Sequence, residues 1–320
     1  MTTTPIFSRM LLERSKAKIN SLMKKIETGH GCMKIGIIGS GPRLDKILPI
    51  VKKNHELTLL VSSDKSFNVN HLDTKIYSIK SFENDKVPKQ IWATLDLLIL
   101  CSYGKKVAGR IYTLPRLGAI NLHASPIPFY RGGSPLNWMI INGEKKGGVS
   151  ILIVDDGIDT GPVVAQSIFE INGLNYQALS SRANHEFARL LDEMLADIEN
   201  AIKSAKPQNH FEGSHYTTRT PTDGKISFKA MNDWEIERLT RALMPPVKRP
   251  FFIFEDKEIE LVEVSLCKKE YKGPPGRVAG NFDAGVVVIC KSRGICLKKI
   301  SLEGAIKSPV GIIKHGFTLP

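Results

Sequence analysis

The sequence predicts an α/β protein built on a mostly parallel sheet, with a smaller β-rich domain after it. Three observations predict this. Short apolar runs alternate with helical segments over residues 33–202, the signature of parallel strands covered by helices on both faces. A polar stretch at 204–210 then marks a change of composition. Beyond residue 250 the apolar runs are short and separated by Gly and Pro turns, which indicates a small antiparallel barrel or half-barrel.

The elements follow in order. Residues 1–32 read as an extension whose helical middle, 8–25, carries a partial apolar stripe of Met10, Leu11, Ile19, Leu22 and, one position beyond, Ile26. Met33 to Gly39 forms a buried first strand that meets Ser40-Gly41-Pro42 and turns into a helix over 43–53. Further buried strands are expected at 57–61, 95–101, 119–122 and 149–154, with a helix at 105–114. A strand over 161–168 precedes one long amphipathic helix, 176–202, with Leu179, Phe187, Leu190, Leu191, Met194, Leu195 and Ile198 on its apolar side. A helix at 233–243 stops at Pro245-Pro246, and strands are expected at 251–254, 258–264, 285–290 and 294–300. The resulting organisation is an extension (1–32), a Rossmann-like α/β domain (33–207), a linker (208–225) and a β-rich, OB-like domain (226–320).

Composition narrows the functional classes. With 320 residues and 42% hydrophobic content, the chain has the make-up of an ordinary globular protein. Its apolar runs fall short of the roughly 20 residues of a membrane span, and its first residues lack the charged-then-apolar order of a secretory signal, so no membrane association and a cytoplasmic location are expected. The five cysteines are scattered, without a Cys-x-x-Cys pair, and read as reduced core thiols, neither a disulfide framework nor a metal site. A net charge of +13 favours anionic partners. Most of it lies in doublets such as Lys52-Lys53, Lys105-Lys106 and Lys268-Lys269, which read as solvated faces.

The chemistry concentrates around Asn121-Leu122-His123. Asn121 and His123 alternate at a strand end, so both side chains point to one face. The Gly- and Pro-rich run 124–133 follows, and later an acidic segment, 155–161. An amide and an imidazole together can stabilise an oxyanion and move a proton, and a carboxylate beside the ring would raise its pKa and fix its tautomer. Taken alone, Asn-x-His is weak; the ordered combination carries the inference. The Gly39-Ser40-Gly41 turn invites a dinucleotide reading, but Leu44 stands where the third glycine belongs, and Asp64 follows the second strand only after two serines. A plain tight turn is the better reading.

As an ordered set, Asn121-x-His123, Ser125-x-x-Pro128-x-x-Arg131-Gly132, Gly148-Val149-Ser150 and Asp156-x-x-Asp159-Thr160-Gly161 resemble the formyltransferase family that uses 10-formyltetrahydrofolate. The likeness runs from about residue 33 to 300. It implies that Asn121, His123 and Asp159 are catalytic: the Asn121 amide and a protonated His123 would stabilise the oxyanion formed when an unprotonated amine attacks the formyl carbon, and Asp159 would hold and charge the imidazole. It also implies that Ser102, Tyr103, Gly104 and Asp156 bind the folate, and that Ser125, Arg131 and Gly132 meet the acceptor, with the Arg131 guanidinium as a fork for phosphate. No metal is implied. Anchoring of a loop is the competing role for Arg131, and simple packing the competing role for Tyr103.

The acceptor divides the family. A short passage after the second strand, Pro126-Ile127, and the 219–226 segment are similar to the sugar formyltransferases, and favour the amino group of a nucleotide-linked dideoxyaminosugar, as in lipopolysaccharide synthesis. Methionyl-tRNA is the alternative, supported by the +13 charge and the C-terminal domain, and hydroxyornithine or another small amino acid a further one. Exposed β edges in the C-terminal part would suit a homodimer.

Overall fold

The computed structural model describes residues 13–14, 16–22, 31–63, 74–209, 211–282 and 284–320. Asp64 and part of the expected N-terminal helix lie outside the described residues; of that helix, 13–14 and 16–22 are helical. The chain divides into two compact units, one of Met1–Pro135, Lys146–Glu170 and Ser180–Thr217, the other of Leu136–Lys145, Ile171–Leu179 and Thr218–Pro320.

The strands are β1 Lys34–Gly39, β2 Glu56–Ser62, β3 Lys75–Ser78, β4 Leu97–Cys101, β5 Ala119–His123, β6 Arg131–Gly132, β7 Lys146–Ile153, β8 Val163–Glu170, β9 His215–Tyr216, β10 Phe251–Phe254, β11 Lys257–Leu266, β12 Val278–Phe282, β13 Gly285–Ile289, β14 Gly294–Leu302 and β15 Ala305–Lys307. The α-helices are α1 Gly41–Asn54, α2 Ile79–Glu83, α3 Lys89–Ala93, α4 Gly109–Tyr112, α5 Pro135–Ile141, α6 Tyr176–Ala196, α7 Ile198–Lys203 and α8 Asp233–Ala242.

In the first unit a sheet of order β3-β2-β1-β4-β5-β7-β8 is parallel from β3 through β5, and β7 and β8 are antiparallel additions. Ile35, Ile37 and Ile38 of β1 and all of β4 are buried, as strands covered on both faces require. Leu44, Ile47, Leu48 and Val51 give α1 the i, i+3, i+4, i+7 stripe that buries against the sheet, and Pro42 supplies the fixed φ of a helix start. The chain fills one side of β1 with β2 and β3 and then crosses to β4, so the order reverses between β1 and β4. At such a reversal the connections leave in opposite directions and open a crevice at the carboxyl ends of the strands. Gly39 is needed there: a Cβ on it would meet the Cys101 carbonyl.

Two of the expected helices change. The helix expected over 176–202 is two, because Asp197 leaves helical geometry and its side chain caps α7 by accepting from Asn200 N at 3.2 Å. The helix expected at 105–114 is the single turn α4.

The second unit holds an antiparallel sheet of order β10-β11-β14-β13-β12, with β15 beside β14. β13 is buried along its whole length, Phe228 meets Phe252 edge-on at 5.2 Å, and Phe228 N donates to the terminal Pro320 carbonyl at 2.7 Å. Asn232 and Glu235 close a capping box at the start of α8. All five cysteines are free: Cys101, Cys290 and Cys296 are buried, Cys267 half-buried and Cys32 exposed, so the core-thiol reading does not extend to Cys32. Among the described residues no helix is long and apolar enough to cross a membrane.

Candidate active site

β5 brings Asn121 and His123 to one face at its carboxyl end, with Asn121 half-buried and His123 buried. The loop that follows is braced from β7. Ser150 lies opposite His123; its hydroxyl donates to the Ser125 carbonyl at 2.7 Å and accepts from Ile127 N at 3.2 Å. The Ser125 hydroxyl donates to the Phe129 carbonyl at 2.8 Å, so this fully buried side chain shapes the loop. The loop then enters β6, which pairs with β9 in the same unit.

Asp159 arrives from the segment between β7 and β8 in a left-handed conformation, φ 55°. Its Oδ1 accepts from Asn121 Nδ2 at 2.9 Å, and its Oδ2 accepts from Gly132 N at 2.8 Å and lies 3.4 Å from His123 Nδ1. Asn121, His123, Asp159 and Gly132 therefore form one group. Asp155 stays in its own turn, where its Oδ1 accepts from Thr160 Oγ1 at 2.7 Å and Gly157 N at 3.0 Å. Gly132 has φ 88°, and a Cβ there would strike the Tyr216 carbonyl.

His123 Nε2 lies 2.8 Å from the Tyr130 carbonyl, which can only accept, so Nε2 carries the hydrogen. Burial pushes the ring's pKa below 6.5; Asp159 and the Tyr130 hydrogen bond push the other way, and Arg43 and His215 add to the lowering. Burial thereby opposes the protonated, charged imidazole that the resemblance implies. Loss of water costs the cation more than a carboxylate 3.4 Å away returns, and the resting ring is neutral with the Nδ1 lone pair toward Asp159. Because the folded pKa lies below the unfolded one, the unfolded chain takes up a proton as pH falls below 6.5 while the folded chain resists it. The stability contributed by the neutral ring is complete above pH 6.5 and drains away on acidification. His123→Gln, which can still donate to Tyr130, is expected to lose less stability than wild type between pH 7.5 and 5.5 in urea titrations; equal losses would refute this.

Arg131 is buried. Its Nε and one terminal nitrogen donate to Gln208 Oε1 at 3.0 and 2.6 Å, and the other terminal nitrogen to the Glu212 carbonyl at 3.3 Å. Gln208 Nε2 in turn donates to the carbonyls of Asp159 at 2.9 Å and Gly161 at 2.6 Å. The expected phosphate fork is corrected on this geometry. The guanidinium is spent inside the protein, and of the two roles weighed for Arg131 the anchoring one fits. Sequence reasoning missed Gln208, which fell in the polar stretch taken for a linker. Lys206 bridges to Val163, N to O at 2.8 Å both ways, and this register carries Gln208 inward. No spacing in the sequence links positions 208 and 159.

Ser102, Tyr103 and Gly104 follow β4 at the crevice. Ser102 and Gly104 are exposed, Ser102 with φ 56°, and a Cβ on Gly104 would meet open space. The Tyr103 ring packs edge-on to Phe82 at 5.7 Å, and burial and the neighbouring Glu83 push its hydroxyl up to about 12. Asp156 is exposed, and its Oδ1 accepts from the Tyr112 hydroxyl at 2.6 Å. Lys106 Nζ donates to the Asp156 carbonyl. Among the described residues no group of three or more His, Cys, Asp or Glu could hold a metal ion.

Comparison with known proteins places this arrangement. The family model described as formyl transferase matches residues 44–194, and that described as formyl transferase, C-terminal domain, matches 219–313. A methionyl-tRNA formyltransferase of Alkaliphilus oremlandii is 31% identical over 210 residues, 65% of this chain and 67% of the relative. One from Finegoldia magna is 28% identical over 277 residues, 82% and 88% of the two chains. Among solved structures, a HypX variant from Aquifex aeolicus has a TM-score of 0.62 at 15% identity, covering 88% of this chain, which spans about half (49%) of the HypX chain. The N-formyltransferase of Helicobacter canadensis, in complex with folinic acid and dTDP-3-aminofucose, has a TM-score of 0.61 at 19% identity, covering 83% and 98%. At these identities the two structures share the fold.

Proposed function

The chain belongs to the formyl transferase family, and from that premise we propose that it transfers the formyl group of 10-formyltetrahydrofolate to the amine of methionyl-tRNA. The observation that carries the acceptor is the relationship to methionyl-tRNA formyltransferases over 82% of the chain, through both matched domains. The net charge of +13 suits a polyanionic acceptor.

The residues at the crevice fit the donor. Exposed Ser102 and Gly104 offer backbone groups, and the exposed Asp156 carboxylate, fixed through one oxygen by Tyr112, offers the other to the pairing edge of a pterin. When bound, the donor supplies an activated formyl carbon. The Asn121 amide has two hydrogens; one is committed to Asp159 Oδ1, and the other serves the formyl oxygen as negative charge develops on it. His123, pinned through Nε2–H to Tyr130 and with Nδ1 facing Asp159, forms with that carboxylate the pair that takes the proton released as the amine bonds to the formyl carbon, and the proton passes on to the departing folate nitrogen as the bond from the formyl carbon to that nitrogen breaks. Asp159 then faces the imidazolium it stabilises.

A second reading, a nucleotide-linked aminosugar as acceptor, draws on Pro126-Ile127 and the 219–226 segment, together with the short stretch of residues 63–74 between β2 and β3. A long basic insertion at this place characterises the tRNA branch of the resembled family. The assay supplies 10-formyltetrahydrofolate with methionyl-tRNA or with a panel of 3-amino and 4-amino dideoxysugar nucleotides. Formylation of the tRNA alone, with salt-sensitive binding, is expected; turnover of a sugar nucleotide with none of the tRNA would replace this acceptor with the second.

A further inference from the structure

We propose that Lys18, on the N-terminal helical segment that precedes the matched family region, is a positioning residue for the formyl-donor site, an inference that rests on Asp156 binding the donor. Leu22 of this segment is buried, 5% exposed, and stands near the backbone of Gly118, where a Cβ would come within 3.7 Å of it. One turn earlier, half-buried Lys18 donates from Nζ to the Val154 carbonyl at 2.7 Å, and the same nitrogen sits 4.5 Å from the centre of the Tyr112 ring. Val154 is two residues before Asp156, and the Tyr112 hydroxyl holds Asp156 Oδ1 at 2.6 Å. One ammonium thus fixes both the chain entering the acidic loop and the ring whose hydroxyl aims the carboxylate.

A cation over an aromatic face and a charged hydrogen bond to a carbonyl are each stronger where water is reduced, as at this half-buried nitrogen. Their effect is to leave Asp156 fewer orientations, so that donor binding orders less of the loop. The segment contributes this brace from outside the residues matched by either formyl transferase family model.

The test is isothermal titration of the full chain with 5-formyltetrahydrofolate, which binds without reacting, alongside steady-state kinetics with 10-formyltetrahydrofolate. Lys18→Met is expected to weaken binding about fivefold to tenfold, the loss of one charged hydrogen bond in part transmitted, and to raise KM for the donor by the same factor with kcat within about twofold of wild type. Lys18→Arg, which keeps a donor and a cation over the ring, is expected to bind as wild type. Tyr112→Phe removes only the hydroxyl and is expected to show the same weakening as Lys18→Met. Wild-type binding by Lys18→Met, with Asp156→Asn weakened, overturns the proposal and leaves the donor reading standing. Wild-type binding by Asp156→Asn overturns both.

Discussion

Asp159→Asn is expected to lower kcat by about 100-fold to 1000-fold, the range seen when a preorganised charge-stabilising group is removed. The substitution keeps size and shape and changes only the hydrogen-bonding pattern. In the native site both carboxylate oxygens accept, Oδ1 from Asn121 Nδ2 and Oδ2 from Gly132 N. An asparagine has one acceptor and one donor, so in either orientation a donor faces a donor and the Asn121 amide or the Gly132 strand must move. The imidazolium formed during proton transfer would also lose its counter-charge. Turnover at saturating donor and acceptor measures this, and near wild-type kcat would remove Asp159 from the mechanism.

Arg131→Met is expected to destabilise the protein by about 3 kcal/mol, read as a shift of the urea midpoint at unchanged slope. Methionine restores much of the volume but none of the donors, and leaves Gln208 Oε1 and the Glu212 carbonyl without the hydrogen bonds that Arg131 gives them. An unmet buried acceptor such as Gln208 Oε1 costs about 1–3 kcal/mol, and the lost packing of the buried guanidinium adds to it. Arg131→Lys is not expected to rescue it, because an ammonium cannot reproduce the planar fork. A phosphate-binding role predicts the opposite pattern: a raised KM for the acceptor and an unaltered midpoint.

The parallel strands β1, β2, β4 and β5 were legible because the apolar runs that form them are nearly continuous and need only local pattern to read, whereas the short and largely exposed β3 was not. The strand phase that sets Asn121 and His123 on one face was legible for the same reason. The antiparallel end, β7 and β8, was not, since a strand's direction depends on its neighbour and a buried run looks the same either way. Gln208 was invisible for a related reason. Its burial follows from the Lys206 to Val163 bridge, a contact between segments far apart in sequence.

The sequence by itself determined the α/β class, the membership of Asn121, His123 and Asp159 in one ordered motif, and the excess of basic charge. These are matters of residue type, period and order. The charge state of His123 and the assignment of Arg131 belonged to the tertiary structure alone. Whether an imidazole is charged depends on how much water surrounds it, and whether a guanidinium meets a ligand or a glutamine depends on which side chain folding brings against it.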